Sequence, residues 1–309
     1  MTAPALRCVN LSRWYGEVQG LSGLTVDMHG GVIGLLGPNG SGKTTLMRLL
    51  TGLAEPSSGY AEIFGVRMGS QAHDLFRRIG HAPGDDIHFE NERAVDFLRL
   101  LARLGGETGA TVRQLADRAL DHVGLLDRGD TRLKAMSKGM RQRIKVAQAL
   151  LFEPELLLLD EPLNGMDPLS RRQIMDLVRR HGSQGGTVVF ASHILHEVEA
   201  VTDQVVMLHH GRLLAEGRLS EIRDLLSQKP RRVTLNSPAR RSIAASLLEE
   251  EAVRSVAFGE GDELSVETRD LDGLVARLQS LGAEGQVQSL QIMDENLEAV
   301  FDLLVGGWT

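Results

Sequence analysis

The sequence predicts an α/β protein, a mostly parallel sheet interrupted by a helical insert, followed by a small α+β domain of ferredoxin-like order. Three observations predict it. A glycine-rich turn, GPNGSGKTT, stands between a buried apolar run and a helical pattern near the start of the chain. Apolar strand patterns return after position 155, each separated from the next by helix or turn, which is the alternation of a parallel sheet. Beyond Pro230, short strands alternate with two helices in the order of a split βαβ unit.

Taken in order, residues 31 to 52, GVIGLLGPNGSGKTTLMRLLTG, read as strand, turn and helix, the helix stopping near Gly52. From Asp74 to about Leu151 the pattern is almost wholly helical, with Val95 to Leu104, Val112 to Val123 and Lys138 to Leu151 as its clearest pieces. A helical subdomain is therefore expected over about 74–151. Strands are expected at Leu156 to Leu159, Thr187 to Ala191 and Val205 to His209. His209 and His210 fall at a hairpin turn before GRLLAEG and read as solvated residues with no metal implied.

A short helix, SEIRDLLSQ, runs into Lys229-Pro230, so the boundary is expected there, with domains at 1–228 and 229–309. The second domain should run as strand (Arg232 to Leu235), helix (Ser242 to Glu250), strands (Val253 to Phe258 and Glu263 to Thr268), helix (Leu271 to Leu281) and strand (Val287 to Ile292). A last helix, Leu297 to Leu304, would close it. Its side chains suggest packing or dimerisation rather than chemistry.

Composition sets outer limits. The 309 residues, 42% of them hydrophobic, can build one large core and a small one. The longest apolar runs, such as Leu156 to Leu159 and Val205 to Leu208, fall far below the roughly 18 residues of a spanning helix. The start, MTAPALRCVN, lacks the charged n-region and apolar core of a secretory signal, so a cytoplasmic location is expected. Cys8, the single cysteine, sits between Leu6 and Val9 in a strand-like stretch and reads as a buried structural thiol. A net charge of −7 argues against general nucleic-acid binding.

The chemistry begins with GPNGSGKTT, Gly37 to Thr45. Gly37, Gly40 and Gly42 let the backbone turn its N–H groups inward, with Pro38, Asn39, Ser41 and Thr45 completing a phosphate loop at a helix N-terminus. Lys43 can reach the β- and γ-phosphates as a point charge, and Thr44 then faces Mg²⁺. LLLLDEP ends an apolar strand in two acids, Asp160 and Glu161. Either acid alone would more often be a cap or a solvated side chain. Paired with a phosphate loop, Asp160 reads as the acid that holds Mg²⁺ through water, and Glu161 as the base facing the attacking water.

Between these motifs lies MSKGMRQRIKVAQAL, Met136 to Leu150, which taken alone is a capped basic helix with Ser137 as N-cap. With GPNGSGKTT before it and LLLLDEP after it, the stretch resembles the signature motif and signature helix of ABC ATPases. That resemblance covers roughly residues 5 to 225, and it implies an ABC ATPase core with a helical subdomain. It also implies that Ser137 and Gly139 close over the γ-phosphate bound to a partner subunit, with Lys138 in place of the family's more usual glycine. Tyr15, in WYGEVQGL, takes the place of the aromatic that stacks on adenine, and its neighbour Trp14 is expected to pack in the small sheet. Asn164, Gly165, Met166 and Asp167 resemble the D-loop that crosses the dimer interface. His193, after TVVFAS, stands where the family places the histidine that contacts the γ-phosphate; read alone, it would be a plain polar loop residue. DENLEAVFDLLVGG, Asp294 to Gly307, resembles the C-terminal extension of ATPases serving type-2 export permeases.

One station departs from the pattern. RRIGHAPGDD lies where such proteins read IGYLPQ, so Gly84 stands in for the Q-loop glutamine that touches Mg²⁺ and senses the membrane partner. Two readings stay open: Asp85 takes over as ligand, or residues 84–86 form a solvated turn. Together the motifs imply an ATPase subunit of an exporter, a head-to-tail homodimer binding ATP and Mg²⁺, driving separate permease subunits on the inner face of the membrane. A soluble ABC ATPase acting on ribosomes or DNA, and a regulatory ATP-binding module with little turnover, are the rivals.

Overall fold

A computed structural model describes residues 3–69, 73–86, 89–221, 231–259, 261–283 and 286–292. The chain forms two compact units, Met1–Leu219 and Ser220–Thr309. The boundary expected at 228–230, the helix expected over 220–228 and the one over Leu297 to Leu304 lie, apart from Ser220 and Glu221, outside the described residues.

The first unit runs β1 (Leu6–Tyr15), β2 (Val18–Met28), β3 (Gly31–Leu36), α1 (Lys43–Leu50), β4 (Ser58–Ile63), β5 (Val66–Arg67), α2 (His73–Phe76) and β6 (Ile79–Ala82). It continues with α3 (Ala94–Leu104), α4 (Gly109–His122), α5 (Lys138–Leu150), β7 (Leu156–Asp160), α6 (Pro168–Ser183), β8 (Thr187–Ser192), α7 (Leu195–Glu199), β9 (Gln204–His209) and β10 (Arg212–Arg218). One sheet is antiparallel, in the order β2-β1-β4-β5. The other has the order β10-β9-β3-β8-β7-β6, parallel except for the hairpin strand β10.

Every residue of β7 and β8 is buried, as expected for strands covered on both faces, and this is why LLLLD and TVVFAS read as unbroken apolar runs. The two sheets and α1 share one core that includes Leu6, Leu24, Leu35, Met47, Leu158 and Val189. Each such side chain contributes about 1.5–3 kcal/mol by leaving water. Cys8 belongs to the same core, and burial pushes its thiol up to about 12, consistent with an inert packing role.

Register places the chemistry. Leu36 pairs with Ser192 across β3 and β8, and Asp160 pairs with Ala191 across β7 and β8. The three strands therefore end level, so the segments that follow them meet at the carboxyl edge of the sheet, the usual ligand edge of an open α/β fold.

One expectation fails inside the supposedly helical stretch 74–151. Ile79–Ala82 is a strand, pairing in parallel with β7 from Ile79↔Leu156 to Ala82↔Leu159. Its buried positions are Gly80 and Ala82, which carry almost no apolar signal. Gly80 is needed there because a Cβ would stand 1.9 Å from the Ala149 carbonyl of α5. The helical insert thus follows β6 rather than preceding it.

The second unit contains β11 (Arg231–Asn236), α8 (Arg240–Leu247), β12 (Val253–Phe258), β13 (Glu263–Thr268), α9 (Leu271–Ala283) and β14 (Ser289–Ile292). Its sheet order β12-β13-β11-β14, antiparallel throughout, is the ferredoxin-like arrangement. Val233, Leu235, Ile243, Leu247, Leu264, Val266, Leu274 and Leu278 form its core. Among the described residues of the chain, no helix is long and apolar enough to cross a membrane.

Candidate functional site

Gly37 to Gly42 form the turn between β3 and α1. Gly40 and Gly42 take φ values of 80° and 105°, a region that side chains disfavour, and a Cβ on Gly42 would also stand 2.6 Å from the Gly20 carbonyl. The Ser41 amide donates to Pro38 O (3.1 Å), and Gly211, in the β9–β10 turn, donates to Ser41 O (3.0 Å), so the hairpin braces the loop. No side chain caps α1 among the described residues, so its first amides stay available to an anion, reinforced by about half a positive charge.

Lys43 is folded over this loop. Its Nζ donates to Gly37 O (2.6 Å) and Pro38 O (3.2 Å) and lies 3.5 Å from Glu161 Oε1. Burial holds its pKa below the usual lysine range, opposed by the charges of Glu161 and Asp160.

Asp160 ends β7 and is buried. Thr44 Oγ1 donates to its Oδ2 at 2.7 Å, while its Oδ1 is buried and makes no hydrogen bond among the described residues. Burial raises its pKa, the Thr44 bond lowers it, and Glu161 raises it again. A buried carboxylate oxygen without a partner, next to a threonine hydroxyl and a phosphate loop, suits a hydrated cation, since Mg²⁺ takes one or two carboxylates plus substrate phosphates. The donor set therefore fits Mg²⁺.

Glu161 follows with φ 50°, a conformation that costs about 1–3 kcal/mol for a residue with a side chain. Its backbone is held there at both ends: its amide donates to Ala191 O (3.0 Å), and Gln142 Nε2 of α5 donates to its carbonyl (2.9 Å). Its Oε2 meets His193 Nδ1 at 2.8 Å. One carboxylate thus links the loop lysine to the histidine after β8.

His193 is itself positioned from behind. Ser192 Oγ donates to the buried Glu197 (Oε2, 2.8 Å) and accepts from the Ile194 amide (3.0 Å), and Glu197 pairs with Arg171 of α6 (3.2 Å). Sequence reading missed this network; the signal was an acid four residues after His193, on a short helix that also buries Leu195 and Val198. It also missed Gln142 and Lys145, two polar side chains three positions apart on a helix buried on most sides.

Gly84 lies against Asp160, since a Cβ there would stand 3.3 Å from Asp160 Oδ2. The carboxylate of Asp85 pairs with Arg48 (3.1 Å) and is 71% exposed, and that of Asp86 lies 3.5 Å from Arg141. The loop backbone, not a carboxylate of residues 84–86, flanks Asp160.

Ser137 caps α5, accepting from the Met140 amide at 3.2 Å, and is exposed. Gly139 and Gly165 let the signature turn and the D-loop approach: a Cβ on Gly139 would stand 3.0 Å from Gly165 O, and one on Gly165 2.7 Å from Lys138 Cδ. The Asn164 amide donates to Glu161 O at 3.3 Å. Asp167 caps α6, accepting from the Ser170 amide and hydroxyl at 3.0 and 2.6 Å. Gly20 allows Tyr15 to reach α1: a Cβ there would meet Thr45 Oγ1 at 2.9 Å and Tyr15 Cε2 at 3.0 Å. Tyr15 is 38% exposed, with Arg13 4.8 Å from its ring centre. Trp14, expected to pack, is 47% exposed instead: the β1–β2 register shifts between Leu11 and Trp14, and no residue of β1 beyond Ser12 is buried. His209 is half-buried and His210 exposed at the β9–β10 turn.

The family described as ABC transporter matches residues 21–164. The daunorubicin/doxorubicin resistance ATP-binding protein DrrA of Streptomyces peucetius is 32% identical over 306 residues, covering 98% of this chain and 92% of that protein. The Nod factor export ATP-binding protein I of Ralstonia nicotianae is 31% identical over 310 residues, covering 99% and 95%. Among solved structures, an ATP-binding subunit of an ABC transporter superposes with a TM-score of 0.64 at 30% identity, covering 72% of this chain and 93% of that one.

Proposed function

Because the chain belongs to the ATP-binding subunits of ABC transporters, which are ATPases, we propose that it drives an exporter as a head-to-tail homodimer coupled to separate membrane permease subunits. Cassettes of this family form dimers and work with membrane permeases. Export is supported by the resistance and export roles in the relatives' names. Transport-subunit relatives along nearly the whole chain favour this reading over action on ribosomes or DNA. The permease would hold the chain at the cytoplasmic face of the membrane.

The observation that carries the catalytic reading is the placement of Glu161 between Lys43 and His193. ATP would enter over Tyr15 with its phosphates in the loop Gly37 to Thr45. Lys43 would exchange the carbonyls of Gly37 and Pro38 for phosphate oxygens. Glu161 would accept the proton of the attacking water, and His193 would face the γ-phosphate. Thr44 and Asp160 would hold Mg²⁺, which neutralises charge on the β- and γ-phosphate oxygens. Ser137, exposed at the helix N-terminus, and Gly139 behind it would close the partner subunit's site, with Asn164, Gly165 and Asp167 at the interface.

Mixing chains tests the arrangement. Lys43→Ala and Ser137→Arg chains are each inactive as homodimers on this reading, but their heterodimer keeps one intact composite site. ATPase activity should reappear on mixing; none, with mixed dimers shown by cross-linking, would mean either that the trans geometry is wrong or that both sites must fire together.

A further inference from the structure

We propose that Lys145 is a positioning residue for ATP hydrolysis, fastening the Gly84–Asp85 backbone beside Asp160. Lys145 is 2% exposed and heads the largest fully buried side chains of the described residues. Its neighbours on α5, Ile144, Val146, Ala147 and Ala149, are buried and apolar, so packing alone would be met by an apolar side chain. Its Nζ instead donates to two successive carbonyls, Gly84 O at 3.2 Å and Asp85 O at 2.9 Å.

The loop offers few other anchors. Gly84 has no side chain, and the carboxylates of Asp85 and Asp86 face Arg48 and Arg141 near the surface. Gly84 nonetheless forms the wall next to Asp160 Oδ2, the oxygen that Thr44 engages. A drift of this loop would open that wall to water. One turn earlier on the same helix, Gln142 donates to the Glu161 carbonyl. The two side chains, three residues apart on α5, therefore hold the backbone on either side of Asp160. Burial lowers the Lys145 pKa, with Lys138 adding to the shift and the charges of Asp86, Asp85 and Asp160 opposing it.

This inference rests on the reading of Asp160 and Glu161 as the hydrolytic acids, and its test is built to separate the two. In full-length Lys145→Met the side chain keeps its bulk and loses its donor. Deuterium exchange of the 79–86 segment, measured without nucleotide or metal, should speed up at least tenfold; kcat should fall at least fivefold with KM for ATP within twofold. Lys145→Gln, whose donor is one atom shorter, should show smaller shifts of two- to fivefold in both, and Lys145→Arg should restore both. Wild-type exchange or wild-type kcat in a folded Met variant overturns the proposal, as does failure of Arg to restore either. If Met does not fold, the same two measurements on Gln decide. A wild-type chain without ATPase activity would sink the reading of the site while leaving the exchange result standing.

Discussion

Nδ1 of His193 stands 2.8 Å from Oε2 of Glu161, joining the residue after β8 to the residue after β7. An ionised carboxylate only accepts, so Nδ1 carries the hydrogen and the ring is fixed with Nε2 turned outward.

Glu161→Gln preserves the shape and the contact with His193 but removes the proposed base. Turnover should fall by about 10²–10⁴, and ATP-bound dimers should accumulate on size exclusion. A rate within twofold of the wild type would refute the assignment.

Glu197→Ala removes the partner of Ser192 and Arg171 behind that histidine. Leaving those groups unmatched should cost about 2–3 kcal/mol, a figure reduced for the partial exposure of Arg171. Denaturant melts would measure it. Turnover should fall further than the lost stability explains, because His193 loses its brace; an unchanged kcat at a temperature where the variant is folded would disprove the link.

His81 faces acidification. Burial first, and the charge of Arg48 second, lower its pKa from 6.5 to about 4. With the folded value depressed, the unfolded chain binds the proton more readily, so the contribution is full above pH 6.5 and lost as pH falls toward about 4. The loss should reach about 2–3 kcal/mol. His81→Gln should flatten that part of the stability–pH curve, and an unchanged slope would show that other groups govern it.

A chain ending at Pro230 keeps every nucleotide residue named above, all within Met1–Leu219. ATP affinity should stay within twofold of the full chain by fluorescence titration. A folded truncation that no longer binds ATP would assign the tail a role in the site.

What the sequence made legible was whatever local chemistry dictates. GPNGSGKTT needs glycine φ values and a helix start, and LLLLD needs a sheet covered on both faces; both signals lie within a few residues. The small antiparallel domain followed from alternation, with β12 and β13 at their expected bounds. β6 escaped because its buried residues are Gly80 and Ala82, whose pairing with β7 depends on a strand more than seventy residues away. Lys145, Gln142 and Glu197 escaped for a related reason. Each acts on a backbone or side chain brought near by folding, and a polar residue in a helix looks solvated until the helix is seen to be enclosed. Gly84 was found as a departure, but what replaces its missing side chain could be read only from the packing of α5.

The fold of Lys43 over Gly37 O and Pro38 O has one more consequence. Through those two carbonyls the Lys43 ammonium ties Gly37 to Pro38, so this side chain helps to set the curvature of the loop. On the proposed reading, ATP would exchange acceptors around one ammonium, its phosphate oxygens taking over from two carbonyls. The step that admits the phosphates would then be the swing of a single side chain, with the hairpin at Gly211 bracing the loop through Ser41 O.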